Sequence, residues 1–118
     1  VVAMLTLLIV APSAALTASL RFVLEAENYD VTAMTSLADA EKADRHFDCT
    51  VLDHHVLGSG EDAGSIAFLQ SHWPVVMLAN DLLHPLAKWS FRTLAKPLLG
   101  AALSQAVRDA ASAQRGRA

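Results

Sequence analysis

The chain has 118 residues, of which 53% are hydrophobic and 18% are charged, and its formal net charge is -3. This length suits one domain with a real core, and so apolar a composition excludes a disordered chain. The small negative charge gives no general attraction to nucleic acid or to anionic membranes, so we expect neither as a direct partner. The one cysteine, Cys49, cannot form an internal disulfide, and we expect it to be a buried core residue in a reducing, cytoplasmic location.

The first twenty residues carry no charge and could be mistaken for a secretory signal or a membrane helix. A signal peptide would begin with basic residues, and none is present here. Pro12 and Ser13 also interrupt the apolar run before it reaches the ~20 residues that a membrane helix needs. We therefore interpret the segment as a strand, a turn and a helix. Because no initiator Met is present, we expect a fragment or a processed form.

Strand and helix patterns alternate along the rest of the chain. Short apolar runs predict five buried strands, and apolar residues at spacings of three and four predict the helices between them. The predicted strands are residues 5–10, 29–34, 49–52, 74–78 and 92–95, and the predicted helices begin after Ser13, after Ser36, near residue 61 and near residue 98. This alternation predicts an α/β fold with a doubly wound parallel sheet and helices on both faces. We expect one domain over residues 1–112, followed by a tail or the start of a linker at 113–118.

Two charged side chains stand where the third and fifth predicted strands end. Asp53 follows the third strand and Lys96 follows the fifth. Right-handed crossovers bring both strand ends to one edge of a parallel sheet, so we expect the two side chains to converge there. A carboxylate beside an ammonium can form and stabilise an acyl phosphate. The alternative is an ordinary salt bridge at the sheet edge, and spacing alone favours this alternative because Asp and Lys are common at strand ends.

Residues 5–112 resemble the receiver domains of bacterial response regulators, the CheY-like superfamily. The resemblance is carried by Val51-Leu52-Asp53 with the glycine-containing loop beyond it, by Ala95-Lys96-Pro97-Leu98, and by residues 24–31. It implies a flavodoxin-like sheet of strand order 2-1-3-4-5 and a two-component signalling role. It also implies that Asp53 is the phosphoacceptor, supported by Lys96 and by Pro97 after a cis peptide bond.

Three positions depart from the pattern of that family. Where receivers carry two acidic residues that hold magnesium, this chain has Ala11 and Pro12, and where they carry Thr or Ser after the fourth strand it has Ala79. Magnesium needs oxygen ligands, usually one or two carboxylates with phosphate. We therefore expect no cofactor, and magnesium to bind weakly if at all.

Five histidines raise the question of another metal site. His54 and His55 follow Asp53 directly, and His46, His72 and His84 lie farther along the chain. Zinc needs three or four converging ligands, whereas adjacent side chains tend to diverge and His46 should lie at the opposite end of the third strand. We therefore predict no metal site.

The segment between the fourth and fifth strands contains Pro85, which predicts a shortened or irregular fourth helix. Leu83, Leu86 and Trp89 recur there at spacings of three and form a candidate interaction surface. The alternative is that they fill the core in place of the missing helix. The aromatic residue that receivers carry in the fifth strand would fall near Phe91 or Thr93.

The leading hypothesis is a degenerate receiver that is not an enzyme. It would act through contacts with a histidine kinase, with an attached output domain or with a second copy of itself. A working receiver that accepts phosphate on Asp53 is the first alternative. A flavodoxin-like domain that binds a small ligand is the last, because no phosphate-binding glycine loop follows the first strand.

Overall fold

Strands and helices alternate in the computed structural model, which describes residues 4–43, 45–57, 62–81, 84–96 and 100–115. The strands are β1 (Thr6–Val10), β2 (Asp30–Met34), β3 (Cys49–Asp53), β4 (Val75–Ala79) and β5 (Arg92–Ala95). The helices are α1 (Ala14–Glu25), α2 (Leu37–Lys42), α3 (Ala63–Ser71) and α4 (Gly100–Arg115), with 3-10 turns at His54–Val56 and Ala87–Trp89. The predicted alternation is confirmed.

All five strands form one parallel sheet in the order β2-β1-β3-β4-β5. The predicted strand order and doubly wound topology are therefore confirmed. Asp53 pairs with Leu78 across β3 and β4, and Ala79 pairs with Ala95 across β4 and β5. This register brings the carboxyl ends of β3, β4 and β5 to the same edge of the sheet.

The sheet separates two hydrophobic clusters, because successive side chains of a strand point to opposite faces. In β1, Leu7 and Ile9 pack on the face covered by α1 and α4, whereas Leu8 and Val10 pack on the face covered by α2 and α3. The central strands β3 and β4 are buried along their whole length, which explains their almost continuous apolar sequences. Cys49 is fully buried, as predicted.

Short polar residues fix where the helices begin. Ser13 accepts a hydrogen bond from the Leu16 backbone N–H and caps α1, and Ser36 caps α2 in the same way. Both caps agree with the sequence prediction, and such caps are typically worth ~1 kcal/mol each. After α1 the chain turns at Asn28, whose φ of 70° lies in the left-handed region that asparagine tolerates well.

The connection between β4 and β5 contains one 3-10 turn, Ala87–Trp89, among its described residues 80–81 and 84–91. The predicted shortening of the fourth helix is thus confirmed. Leu86, however, has no exposed surface and packs against the cluster on the α2 and α3 face. Its assignment to an interaction surface is corrected, because the short turn leaves the sheet uncovered and Leu86 fills that space.

The last helix continues through Arg115, beyond residue 112, after which the sequence predicts a tail or the start of a linker. Ala110 packs in the hydrophobic cluster on the α1 and α4 face of the sheet, Ala111 is also buried, and helix-favouring residues continue the helix beyond them. No described helix combines the length and the apolar character that crossing a membrane requires.

Candidate functional site

Asp53 is the last residue of β3, and its side chain is only 2% exposed. Both carboxylate oxygens accept hydrogen bonds. The Lys96 ammonium donates to Oδ2 at 2.6 Å. The backbone N–H of His55 and its ring Nδ1 both bond Oδ1, at 2.8 and 2.7 Å. The carboxylate is therefore held from two sides.

Lys96 reaches Asp53 because it continues the pairing of β5 with β4. Its backbone N–H donates to the Ala79 carbonyl at 3.0 Å, which fixes the residue directly beyond the strand end. The predicted convergence of Asp53 and Lys96 is therefore confirmed. Pro97, and with it the predicted cis peptide bond, lies outside the described residues.

The surroundings of Asp53 favour its ionised form. Burial raises the pKa of the carboxyl group, but the hydrogen bonds from Lys96 and from His55 outweigh burial and hold the pKa below its usual range. Asp53 is consequently an anion at neutral pH, paired with one ammonium and one imidazole N–H. An ionised carboxylate can act as a nucleophile or as a metal ligand.

The two histidines after Asp53 lie together, although their side chains were expected to diverge. Their ring centroids are 3.9 Å apart, and the ring of His84 lies 5.0 Å from that of His54. The prediction was wrong because Asp53 caps the 3-10 turn and draws the His55 ring back onto its own carboxylate. Sequence spacing alone gave no sign of this turn geometry.

The other two histidines lie elsewhere in the fold. As predicted, His46 lies at the opposite end of β3 from Asp53. Its Nε2 is 3.6 Å from the Asp48 carboxylate. His72 stacks on the Phe68 ring at 3.9 Å. The histidines near Asp53 are therefore His54, His55 and His84.

His54 is the least satisfied member of this group. Its Nε2 atom is buried and has no hydrogen-bond partner among the residues that the structure describes. Burial, together with the neighbouring His55, lowers the pKa of His54. The lowered pKa favours the neutral ring at pH 7.

The residues around Asp53 do not fit a magnesium ion. Ala11 is buried and Pro12 is exposed after β1, and neither side chain offers an oxygen. In the described part of the chain, one group of three residues could hold a metal ion, and it consists of Asp53, His54 and His55. One carboxylate and two imidazoles do not make the oxygen octahedron that magnesium demands.

The position at the end of β4 also offers no side-chain hydroxyl group. Ala79 is buried at this strand end and has only a methyl side chain. In β5, Thr93 pairs with Met77, and its hydroxyl group contacts Ser90 Oγ at 2.9 Å. Phe91 precedes the strand, so β5 itself contains no aromatic residue.

The candidate interaction surface consisted of Leu83, Leu86 and Trp89, and among its described residues only Trp89 is partly exposed. It is half-buried, with the Lys88 ammonium 6.0 Å from its ring centroid. An open cavity of about 410 Å³ adjoins it, lined by Gln70, Trp73, Lys88, Trp89 and Ser90. Leu83 lies outside the described residues.

No protein-family model and no curated protein matches this sequence. Solved structures do match along almost the whole chain. The signal receiver domain of an HD domain-containing protein from Pseudomonas fluorescens superposes with a TM-score of 0.80 at 20% identity, covering 98% of this chain and 100% of that one. A second match is the receiver domain of a sensor histidine kinase from Pseudomonas aeruginosa, whose structure has a magnesium ion in its active-site cleft. It superposes with a TM-score of 0.76 at 16% identity, covering 93% of this chain and 99% of that one.

Full-length FixJ from B. japonicum gives a TM-score of 0.74 at 20% identity, and the match covers 92% of this chain and 58% of FixJ. The strand order, the Asp53–Lys96 pair at the sheet edge and these superpositions agree with one another. The chain has the fold of the CheY-like response-regulator receiver domains.

Proposed function

We propose that this domain is a degenerate receiver of a two-component phosphorelay protein, which acts through protein contacts with little or no magnesium-dependent phosphorylation. The observation that carries the proposal is the composition of the sheet edge. Asp53 and Lys96 keep the contact that a phosphoacceptor site needs. Ala11, Pro12 and Ala79 replace the magnesium ligands and the hydroxyl group of the resembling family.

The chemistry of phosphoryl transfer explains why these losses matter. When a carboxylate oxygen attacks phosphorus, negative charge is spread over three equatorial oxygens and must be neutralised. Lys96 supplies one positive charge, and Ala11 and Pro12 offer no carboxylate that could hold a magnesium ion beside it. Both oxygens of Asp53 also accept hydrogen bonds, which stabilise the carboxylate and make it a weaker nucleophile. Phosphorylation of Asp53 should therefore be slow.

The proposed partners are a histidine kinase, an attached output domain or a second copy of the chain. One structural neighbour is the receiver domain of a sensor histidine kinase, and another belongs to an HD domain-containing protein. The match with full-length FixJ leaves part of FixJ uncovered. These neighbours support a domain that works as one part of a larger signalling protein.

A phosphodonor assay tests the proposal. The protein is incubated with acetyl phosphate, with and without millimolar magnesium, and intact mass is measured beside an Asp53→Asn control. We expect little incorporation and little effect of magnesium. Stoichiometric, magnesium-dependent labelling that disappears in Asp53→Asn would establish the working receiver instead.

Magnesium binding and association are measured separately. An NMR titration should show no saturable magnesium binding below millimolar concentration at Asp53. Sedimentation of the wild type and of Trp89→Ala tests whether the chain self-associates through the surface around Trp89 and Lys88. A monomer at every concentration would remove the second copy from the proposed partners.

A further inference from the structure

The group formed by Asp53, His54 and His55 has features that the receiver function does not use. Each residue offers one ligand atom, and these atoms all lie within 4.8 Å of one another. Asp53 is buried, whereas the side chain of His55 is 50% exposed, so the group has a path to solvent. His54 Nε2 adds a buried nitrogen without a partner among the described residues.

The chemistry of the three ligands selects the kind of metal. Two imidazole nitrogens and one carboxylate oxygen are the ligands that zinc and similar transition metals prefer, and they are a poor set for magnesium. Three protein ligands also leave the fourth position of a tetrahedral zinc ion open to water. We propose that Asp53, His54 and His55 form a binding site for a divalent transition metal of the zinc type.

Binding requires only a small rearrangement. With bonds of ~2.0–2.2 Å at tetrahedral angles, two ligand atoms of a zinc ion are roughly 3.4 Å apart. His55 Nδ1 is now 2.7 Å from Asp53 Oδ1, so this pair must open slightly, and the ring proton must move from Nδ1 to Nε2 so that the metal can take its place. His54 and His55 lie in a single 3-10 turn, and rotation of their side chains can close the remaining distances.

Two neighbours complete the surroundings of the site without being ligands. Lys96 bonds Oδ2 of Asp53 and leaves Oδ1 for the metal, so it orients the carboxylate. His84 accepts a hydrogen bond from the Leu86 backbone N–H at its Nδ1, which leaves the ring proton on Nε2. Neither nitrogen of His84 is then available to a metal, and its ring packs against the edge of His54.

The test uses the tag-free chain and zinc itself as the probe. Isothermal titration should give one equivalent of bound zinc, with NMR shifts centred on the rings of His54 and His55. We expect His54→Ala, His55→Ala and Asp53→Asn each to weaken binding at least tenfold. His46→Ala and His72→Ala are matched controls at distant histidines and should leave the affinity unchanged. An excess of magnesium should not displace the zinc.

Circular dichroism checks that each variant is folded, and His54→Gln serves as a milder second variant. Protection of the His54 and His55 rings from diethyl pyrocarbonate by zinc gives an independent readout in the unchanged protein. The proposal is overturned if zinc does not bind, if His55→Ala binds as tightly as the wild type, or if the two control variants lose as much affinity as the site variants.

Discussion

Replacing Lys96 by methionine removes the ammonium from the most buried ion pair of the sheet edge while keeping most of the apolar stem. The Nζ to Oδ2 distance is 2.6 Å. At an effective dielectric constant of ~20 the attraction over this distance is about 6 kcal/mol, and part of it is offset because both groups leave water. Breaking a buried pair by removing one partner costs roughly 3–5 kcal/mol.

The expected cost for this pair lies slightly below that range. The Lys96 side chain is 27% exposed, and Asp53 keeps its two hydrogen bonds from His55. We therefore expect Lys96→Met to lower the free energy of unfolding by about 2–3 kcal/mol at pH 7. Urea unfolding followed by tryptophan fluorescence measures this difference, and thermal unfolding should show a melting temperature about 10 °C lower.

An exposed pair provides the control. Arg21 and Glu25 are 3.1 Å apart, with side chains 51% and 47% exposed, so Arg21→Met should cost about 0.5 kcal/mol or less. Adding Asp53→Asn to Lys96→Met should recover stability, because it removes the unpaired buried charge. Equal costs for Lys96→Met and Arg21→Met would refute the reasoning.

The destabilisation caused by Lys96→Met should depend on pH in a definite direction. The pKa of Asp53 is lowered in the folded protein, so the pair contributes stability above the ordinary carboxyl pKa. That contribution is lost as the pH falls through the lower folded value. The difference in the free energy of unfolding between the wild type and Lys96→Met should therefore become smaller as the pH is lowered below ~4.

Three further predictions concern other parts of the molecule. Leu86→Ala should lower the free energy of unfolding by about 3 kcal/mol in urea, because Leu86 has no exposed surface, whereas Phe22→Ala, at a side chain 76% exposed, should change it by about 0.5 kcal/mol or less. The pKa of His54 is lowered in the folded protein, so the stability that depends on its neutral ring is complete above pH ~6.5 and falls as the pH drops toward the folded value. His54→Gln should make the free energy of unfolding depend less on pH in that range, and an unchanged dependence would contradict the prediction. Burial raises the pKa of Cys49 to about 12, so its thiol should react with Ellman's reagent only as fast as the protein unfolds.

The fold could be predicted from the sequence because several local patterns agree with one another. The apolar runs have the length of buried strands, and Ser13 and Ser36 mark helix starts where the structure has them. The meeting of Asp53 with Lys96 followed from topology, because parallel strands with right-handed crossovers end at one edge. None of these conclusions depends on the conformation of a particular side chain.

Two features of the site depended on geometry that the sequence does not encode locally. The position of His55 is set by a 3-10 turn whose cap is the Asp53 side chain, and no spacing rule gives that fold-back. The burial of Leu86 depends on how a proline-broken segment lies on the sheet, and a spacing of three does not say which side faces inward. Tertiary packing decided both.

The two faces of the sheet are covered by helices of unequal length. On one face α1 and α4 have 12 and 16 residues, whereas on the other face α2 and α3 have 6 and 9. The 3-10 turn at Ala87–Trp89, between β4 and β5, also lies on this second face. Short elements open locally at a lower free energy than the global transition, so native-state hydrogen exchange should be faster on the second face. Val56 and Leu57, which follow His55, pack on that second face. A brief opening there would detach His55 from Asp53 while the sheet stays folded, and it would give solutes intermittent access to the carboxylate.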